Sequence, residues 1–214
     1  MNRGGPTSVP TRLGPVSTSI ARPLAVSEDW RASIVGRIAA VHALWQQGVS
    51  DLTVDHANHF ERTGVLPIAF TLMHFVVGED RNVARYLGAA ALLWDQQGWA
   101  KRVGLVGEPP MRGTPMTDAE RIRLGDMAAW RVYQTAVFAR TEHALATLPL
   151  DRFAQKAMER PPADKLKGAF IALLVPEGDF HVSDVCEAYL FQHAVRHLGE
   201  LEHARALVGL GGLS

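Results

Sequence analysis

The chain has 214 residues, 47% of them apolar, with 22 basic against 22 acidic side chains, so its formal net charge is zero with histidine neutral. That composition describes a globular protein of one domain that closes a core without disulfide or metal staples, which makes any metal in it functional rather than structural. The balance of charge and the lack of a basic block exclude a general nucleic-acid binder, and no apolar run reaches the roughly 18–20 residues of a membrane span.

Residues 1–26 hold Pro6, Pro10, Pro15 and Pro23 among Gly, Ser and Thr, without helical period, and read as a flexible extension to a domain over residues 27–214. The N-terminus lacks the compact apolar stretch of a secretory signal. Ser27 is an N-cap candidate followed by Glu28 and Asp29, and Trp30, Ile34, Ile38, Val41 and Trp45 then recur at helical steps, with Gly48 as the stop. After Pro67 a second helix carries Leu66, Phe70, Met73, His74, Val77, Ala84 and Leu87 on one side and runs on towards Trp94. Residues 104–116, with Pro109-Pro110, form a crossover loop. A capping box of Thr117 and Glu120 starts the third helix, which Pro149 ends. Residues 150–180 are broken by prolines, and Ala169 to Val175 fits a helical turn or a brief strand equally well. The last helix starts near Ser183 and stops at Gly209, Gly211 and Gly212. Four long amphipathic helices without a convincing strand predict an all-α protein, a four-helix bundle with long crossover connections.

Nine histidines stand out in this chain. His193 and His197 lie four residues apart, a step of roughly 40° round the helix, so both imidazoles face one way. Cys186, Tyr189, Leu190, Leu201, Ala204 and Val208 share their stripe, so the pair faces the core. His74 lies between Phe70 and Val77 on the apolar stripe of the second helix. Three imidazoles from two helices can converge on a divalent ion and leave positions open, and such nitrogen ligands suit Zn, Ni, Cu or Fe. A core histidine can also simply be hydrogen-bonded, but two imidazoles buried without partners cost about 1–3 kcal/mol each. Position 194 is Ala, which excludes a zinc-protease HExxH, and Glu200 to His203 is the lone ExxH, too few for a ferritin-like di-iron site.

Glu200 lies one turn after His197, where it can accept from an imidazole, shuttle a proton, ligate the metal as a fourth group or pair with Arg196 or Arg205 at the rim; it is the candidate catalytic residue. Cys186, two turns before His193, reads as a small core residue. With no CxxC and one cysteine the chain fits a reducing compartment, and the expected location is the cytoplasm. His143 is the reserve ligand, and His42, His56, His59, His181 and His203 read as surface, cap or loop residues. Trp94, Trp99 and Trp130 are core or interface anchors that can also supply an aromatic wall beside a metal.

The stretch Leu66-Pro67-Ile68-Ala69-Phe70-Thr71-Leu72-Met73-His74 and the run His193-Ala194-Val195-Arg196-His197-Leu198-Gly199-Glu200-Leu201 together resemble the DinB-like superfamily, the DinB/YfiT-like metalloenzymes. The resemblance covers approximately residues 28–210. The family usually reads HxxxHRGQ followed by an aliphatic residue; both histidines, the Gly and the aliphatic residue match, while Leu198 replaces Arg and Glu200 replaces Gln. It implies a four-helix bundle in which His74, His193 and His197 bind a divalent metal, commonly zinc or nickel. Relatives include mycothiol- or bacillithiol-dependent S-transferases and a mycothiol-dependent maleylpyruvate isomerase.

The expected function is therefore a metal-dependent thiol S-transferase. A small-molecule thiol of mycothiol or bacillithiol type takes an open metal position, loses its proton more readily there and attacks an electrophile, so no protein nucleophile is required. The competing readings are a non-catalytic metal-binding or sensing bundle and a metal-dependent hydrolase or isomerase. The expected partners are the thiol and an electrophilic substrate, with no nucleic acid and no membrane, and with a homodimer formed through an apolar helix face.

Overall fold

The structure is a computed structural model that describes residues 26–89 and 91–213. Residues 1–25 of the expected extension lie outside the described residues; Val26 packs against the edge of the core. Ser27 caps helix α1 (Glu28–Ser50) as read from the sequence, its hydroxyl accepting from the Trp30 amide. Gly48 does not end that helix, which runs on to Ser50. A Cβ at position 48 would lie 3.2 Å from Leu201 Cδ2, so the glycine is there for close approach of a second helix.

Helix α2 (Ile68–Tyr86) starts after Pro67 and stops short of the predicted run towards Trp94. Gly88 takes φ +72°, and the buried Asp80 carboxylate instead accepts from the Leu93 and Trp94 amides to start a separate short helix, Leu93–Gln96. The capping box predicted at Thr117 is absent. Glu120 accepts from the Gly64 amide, and only a single turn forms at Met116–Ala119. The chain between 104 and 125 is tied back on itself: Val106 and Arg123 bridge, Asn58 pairs with the Leu124 backbone both ways, and Gly104 at φ +60° packs directly on Gly125. Helix α3 (Met127–Thr147) therefore begins nine residues late, capped by Asp126 in place of Thr117, with the Asp126 carboxylate accepting from Ala128 and Ala129.

Between α3 and the last helix come three short helical turns and a small antiparallel two-stranded sheet, β1 (Lys156–Met158) and β2 (Phe180–His181). The ambiguous stretch 169–175 is a helical turn, Phe170–Leu174. Val182–Val185, Cys186–Gln192 and His193–Leu207 then run on as one helix, α4, whose middle segment is π-helical. Gly209, at φ +77°, terminates it as expected.

The protein is mostly helical, as predicted. Helices α1 and α2 each pack along both α3 and α4. Trp45, Phe75, Trp130, Tyr133 and Phe138 fill the centre, and Trp45 Nε1 donates to the Ala194 carbonyl at 3.2 Å, clamping α1 to α4 beside His193. A second apolar group of Ile34, Ile38, Phe153, Cys186 and Leu190 closes the opposite end. Among the described residues no helix is long and apolar enough to cross a membrane.

Candidate metal centre

His74 comes from the first half of α2, and His193 and His197 from the α4 segment that follows the π-helical turn. One ligand atom from each lies within 4.8 Å of the others. The His74 ring stands edge-on to both partners, with ring centroids 5.3 Å from His193 and 4.9 Å from His197. On the outer side His74 stacks on Phe70, and Phe75 backs the α4 pair. The three imidazoles form the floor of an open cleft of about 750 Å³.

Hydrogen bonding within the cluster is incomplete. His197 Nδ1 lies 2.6 Å from Glu200 Oε2, so a neutral His197 donates there and presents a bare Nε2 lone pair. That lone pair faces His193 Nε2 at 3.0 Å. For this contact to be a hydrogen bond His193 must donate from Nε2, which leaves its Nδ1 a bare acceptor. His193 Nδ1 is buried with no partner among the described residues, and so is His74 Nδ1. Orphaned buried nitrogens and two opposed nitrogens at 3.0 Å are unfavourable in a closed hydrogen-bond network. A cation shared by the opposed His193 and His197 nitrogens replaces that contact with coordination, so the donor set fits a divalent metal.

The protonation states agree. Burial, reinforced by the neighbouring imidazoles, pushes His74 down to about 4 and His193 down to about 3, so both imidazoles are neutral at pH 7 and able to ligate. Glu200 is held below the ordinary carboxylate range chiefly by its hydrogen bond to His197. Of the roles its spacing allows, the geometry realises the imidazole acceptor; its other oxygen meets Arg196 Nε at 3.4 Å, whereas Arg205 pairs with Asp51.

Other candidates fall elsewhere. His143 is exposed on α3, away from the cluster, and is not a reserve ligand. His59 and His181 occupy helix caps, His56 closes a capping box with Thr53 at the start of the short helix Val54–Asn58, and His203 is exposed, as expected. His42 is not a surface residue: it is buried in the core, between Glu79 and Glu142. Cys186 is fully buried, and burial pushes its thiol up, as a core residue requires. Trp94, Trp99 and Trp130 gather round Tyr133 in the core instead of walling the cleft. Phe70, Phe170 and Tyr189 supply its aromatic surface. Sequence reading missed Gln192, Arg112 and Phe170 as cleft residues. Gln192 follows from the π-helical turn, Arg112 from an irregular loop and Phe170 from a single helical turn too short for periodicity to carry a signal.

No family model and no curated protein matches this chain. Among solved structures it is similar to the crystal structure of a conserved protein of locus from Enterococcus faecalis, with a TM-score of 0.65 at 15% identity over 83% of this chain and 96% of that one. At that identity the likeness speaks for the fold alone. Fold and site together define an all-α protein with a three-histidine cluster at the base of an open cleft.

Proposed function

We propose that this chain is a DinB-like four-helix-bundle protein that binds zinc or nickel through His74, His193 and His197 and acts as a metal-dependent thiol S-transferase using a mycothiol- or bacillithiol-type thiol. The observation that carries the metal reading is the convergence of three imidazoles, two with orphaned nitrogens, on one point at the base of the cleft. Packing of α1 and α2 against both α3 and α4 supports the bundle with crossover connections.

A divalent ion held there supplies Lewis acidity, lowering the pKa of a thiol that reaches it. The chain's own residues do the rest. Glu200 accepts the His197 Nδ1 proton, fixes that ring's tautomer and turns Nε2 towards the cluster. Phe75 and Trp45 behind the pair keep water from the rear of the site. Phe70 and Tyr189 offer apolar surface for an electrophile in the open part of the cleft. With Cys186 buried away from the cleft, the reacting sulfur comes from the co-substrate.

Glu200 itself favours a second reading. An anion beside His197 strengthens metal binding and opposes a bound thiolate, which suits a metal-binding or sensing module. Metal analysis of protein purified without a histidine tag, followed by incubation with mycothiol or bacillithiol and a panel of electrophiles, separates the two. Thiol-dependent turnover is expected; a full metal complement with no turnover on any electrophile selects the binding module. Glu200→Gln is expected to weaken metal affinity by about 10–100-fold with the fold intact, read by competition with a chelator. An unchanged affinity would return Glu200 to the status of a rim carboxylate.

A further inference from the structure

The cleft above the histidines is one-sided in charge. Arg112 and Arg196 line it and, among the described residues, no carboxylate does, although the chain as a whole balances 22 basic against 22 acidic side chains. The two guanidinium groups enter from different elements, Arg112 from the loop after Pro109-Pro110 and Arg196 from α4, one residue before His197. Among the described residues no carboxylate pairs with Arg112; its one hydrogen bond is a long contact, 3.5 Å, to the Lys167 carbonyl. Its charge reaches into the cleft, since it draws down a Tyr189 phenol that burial and Tyr86 push up. Arg196 meets Glu200 through Nε at 3.4 Å, while the other Glu200 oxygen is taken by His197. The remaining N–H donors of both forks are available to a ligand. Beside them the cleft presents the amides of Asn82 and Gln192 and the rings of Phe70 and Tyr189.

A surface that is cationic at two points and aromatic alongside selects by chemistry. Guanidinium forks match the planar, two-oxygen edge of a carboxylate, and aromatic walls reward an apolar body but not a small hydrated anion. We infer that the cleft takes up an organic carboxylate with an apolar body, its carboxylate held by Arg112 and Arg196 and its body against Phe70 and Tyr189. This deepens the proposed function and rests on its reading of the cleft as a reactant site: one of the two reactants brought to the metal centre is such an acid.

The test titrates 3-phenylpropanoate, its neutral counterpart 3-phenylpropanamide and inorganic phosphate into the full chain, with metal content measured on the same samples. The acid is expected to bind at least about tenfold more tightly than the amide or phosphate, as charge-assisted pairing requires. Arg112→Gln and Arg196→Gln are each expected to remove most of that preference while leaving amide affinity and metal content unchanged. Equal binding of acid and amide, binding of neither, or phosphate binding as tight as the acid would overturn the inference. So would a preference that survives both arginine substitutions and disappears in His193→Ala, because the carboxylate would then sit on the metal. An arginine-dependent preference in metal-free protein would uphold this inference while the metal reading fails. A full metal complement without the preference would do the reverse.

Discussion

Purified without a histidine tag, His193→Ala and His197→Ala are each expected to retain less than about 0.2 equivalents of transition metal, against about one in the unaltered chain. Each substitution removes one of three nitrogens that meet within 4.8 Å, and the two that remain cannot close a site on their own. The loss should exceed that of Glu200→Gln, which leaves every ligand in place. His74→Ala should fall between, because it keeps the α4 pair with its 3.0 Å approach. Without metal the His74 and His193 variants should be folded, since both residues are only partly buried and removing either relieves an orphaned nitrogen. Elemental analysis reads metal content directly, and circular dichroism checks the helices. Native metal content and stability in all three variants would remove the metal centre altogether.

The site was legible in the sequence because its residues sit in regular helix. His74, His193 and His197 lie on stripes that a period of 3.6 resolves, and Pro67 before α2 and Gly209 after α4 mark the ends of the helices that carry them. The errors fall where long-range contacts override local preference. Thr117 and Glu120 have the spacing of a capping box, yet the close approach of Gly104 to Gly125 and the tie between Asn58 and Leu124 hold that segment as a loop. Gly48 reads locally as a stop, but it is the point where α4 crosses α1. The π-helical turn at Cys186–Gln192 leaves no periodic signature, so the position of Gln192 in the cleft could not be read. His42 is a different error. It falls four residues after Ile38 and three before Trp45, on the buried stripe of α1, so its place in the core was available from the spacing; its acidic partners, brought by α2 and α3, were not.

Those partners make removal of His42 costly to stability. Its ring stacks on Phe138 at 3.9 Å, with Nδ1 2.8 Å from Glu142 and Nε2 3.1 Å from Glu79. Glu79 is fully enclosed, and apart from His42 it has the Thr141 hydroxyl, which donates to Oε1 at 2.5 Å. His42→Ala leaves an acidic side chain in the core without its cationic partner, a change that costs about 3–5 kcal/mol for a buried pair. Burial alone would lower the His42 pKa, but Glu79 and Glu142 together outweigh it and raise it above the ordinary 6.5. A raised folded value means that the proton binds the folded chain more tightly than the unfolded one. The stabilisation from His42 is therefore complete below about pH 6.5 and declines as pH rises through the folded pKa above that value. Denaturant titrations of the unaltered chain should show this decline, and His42→Ala should be flatter across the same window. Adding Glu79→Gln to His42→Ala should recover part of the loss, because the stranded acid is then neutral. Metal content should not change, since Phe75 and Phe138 stand between this network and the histidine cluster. A cost below about 1 kcal/mol with no recovery in the double variant would mean that water reaches Glu79 and replaces the imidazole, and the network would then contribute no more than an exposed ion pair.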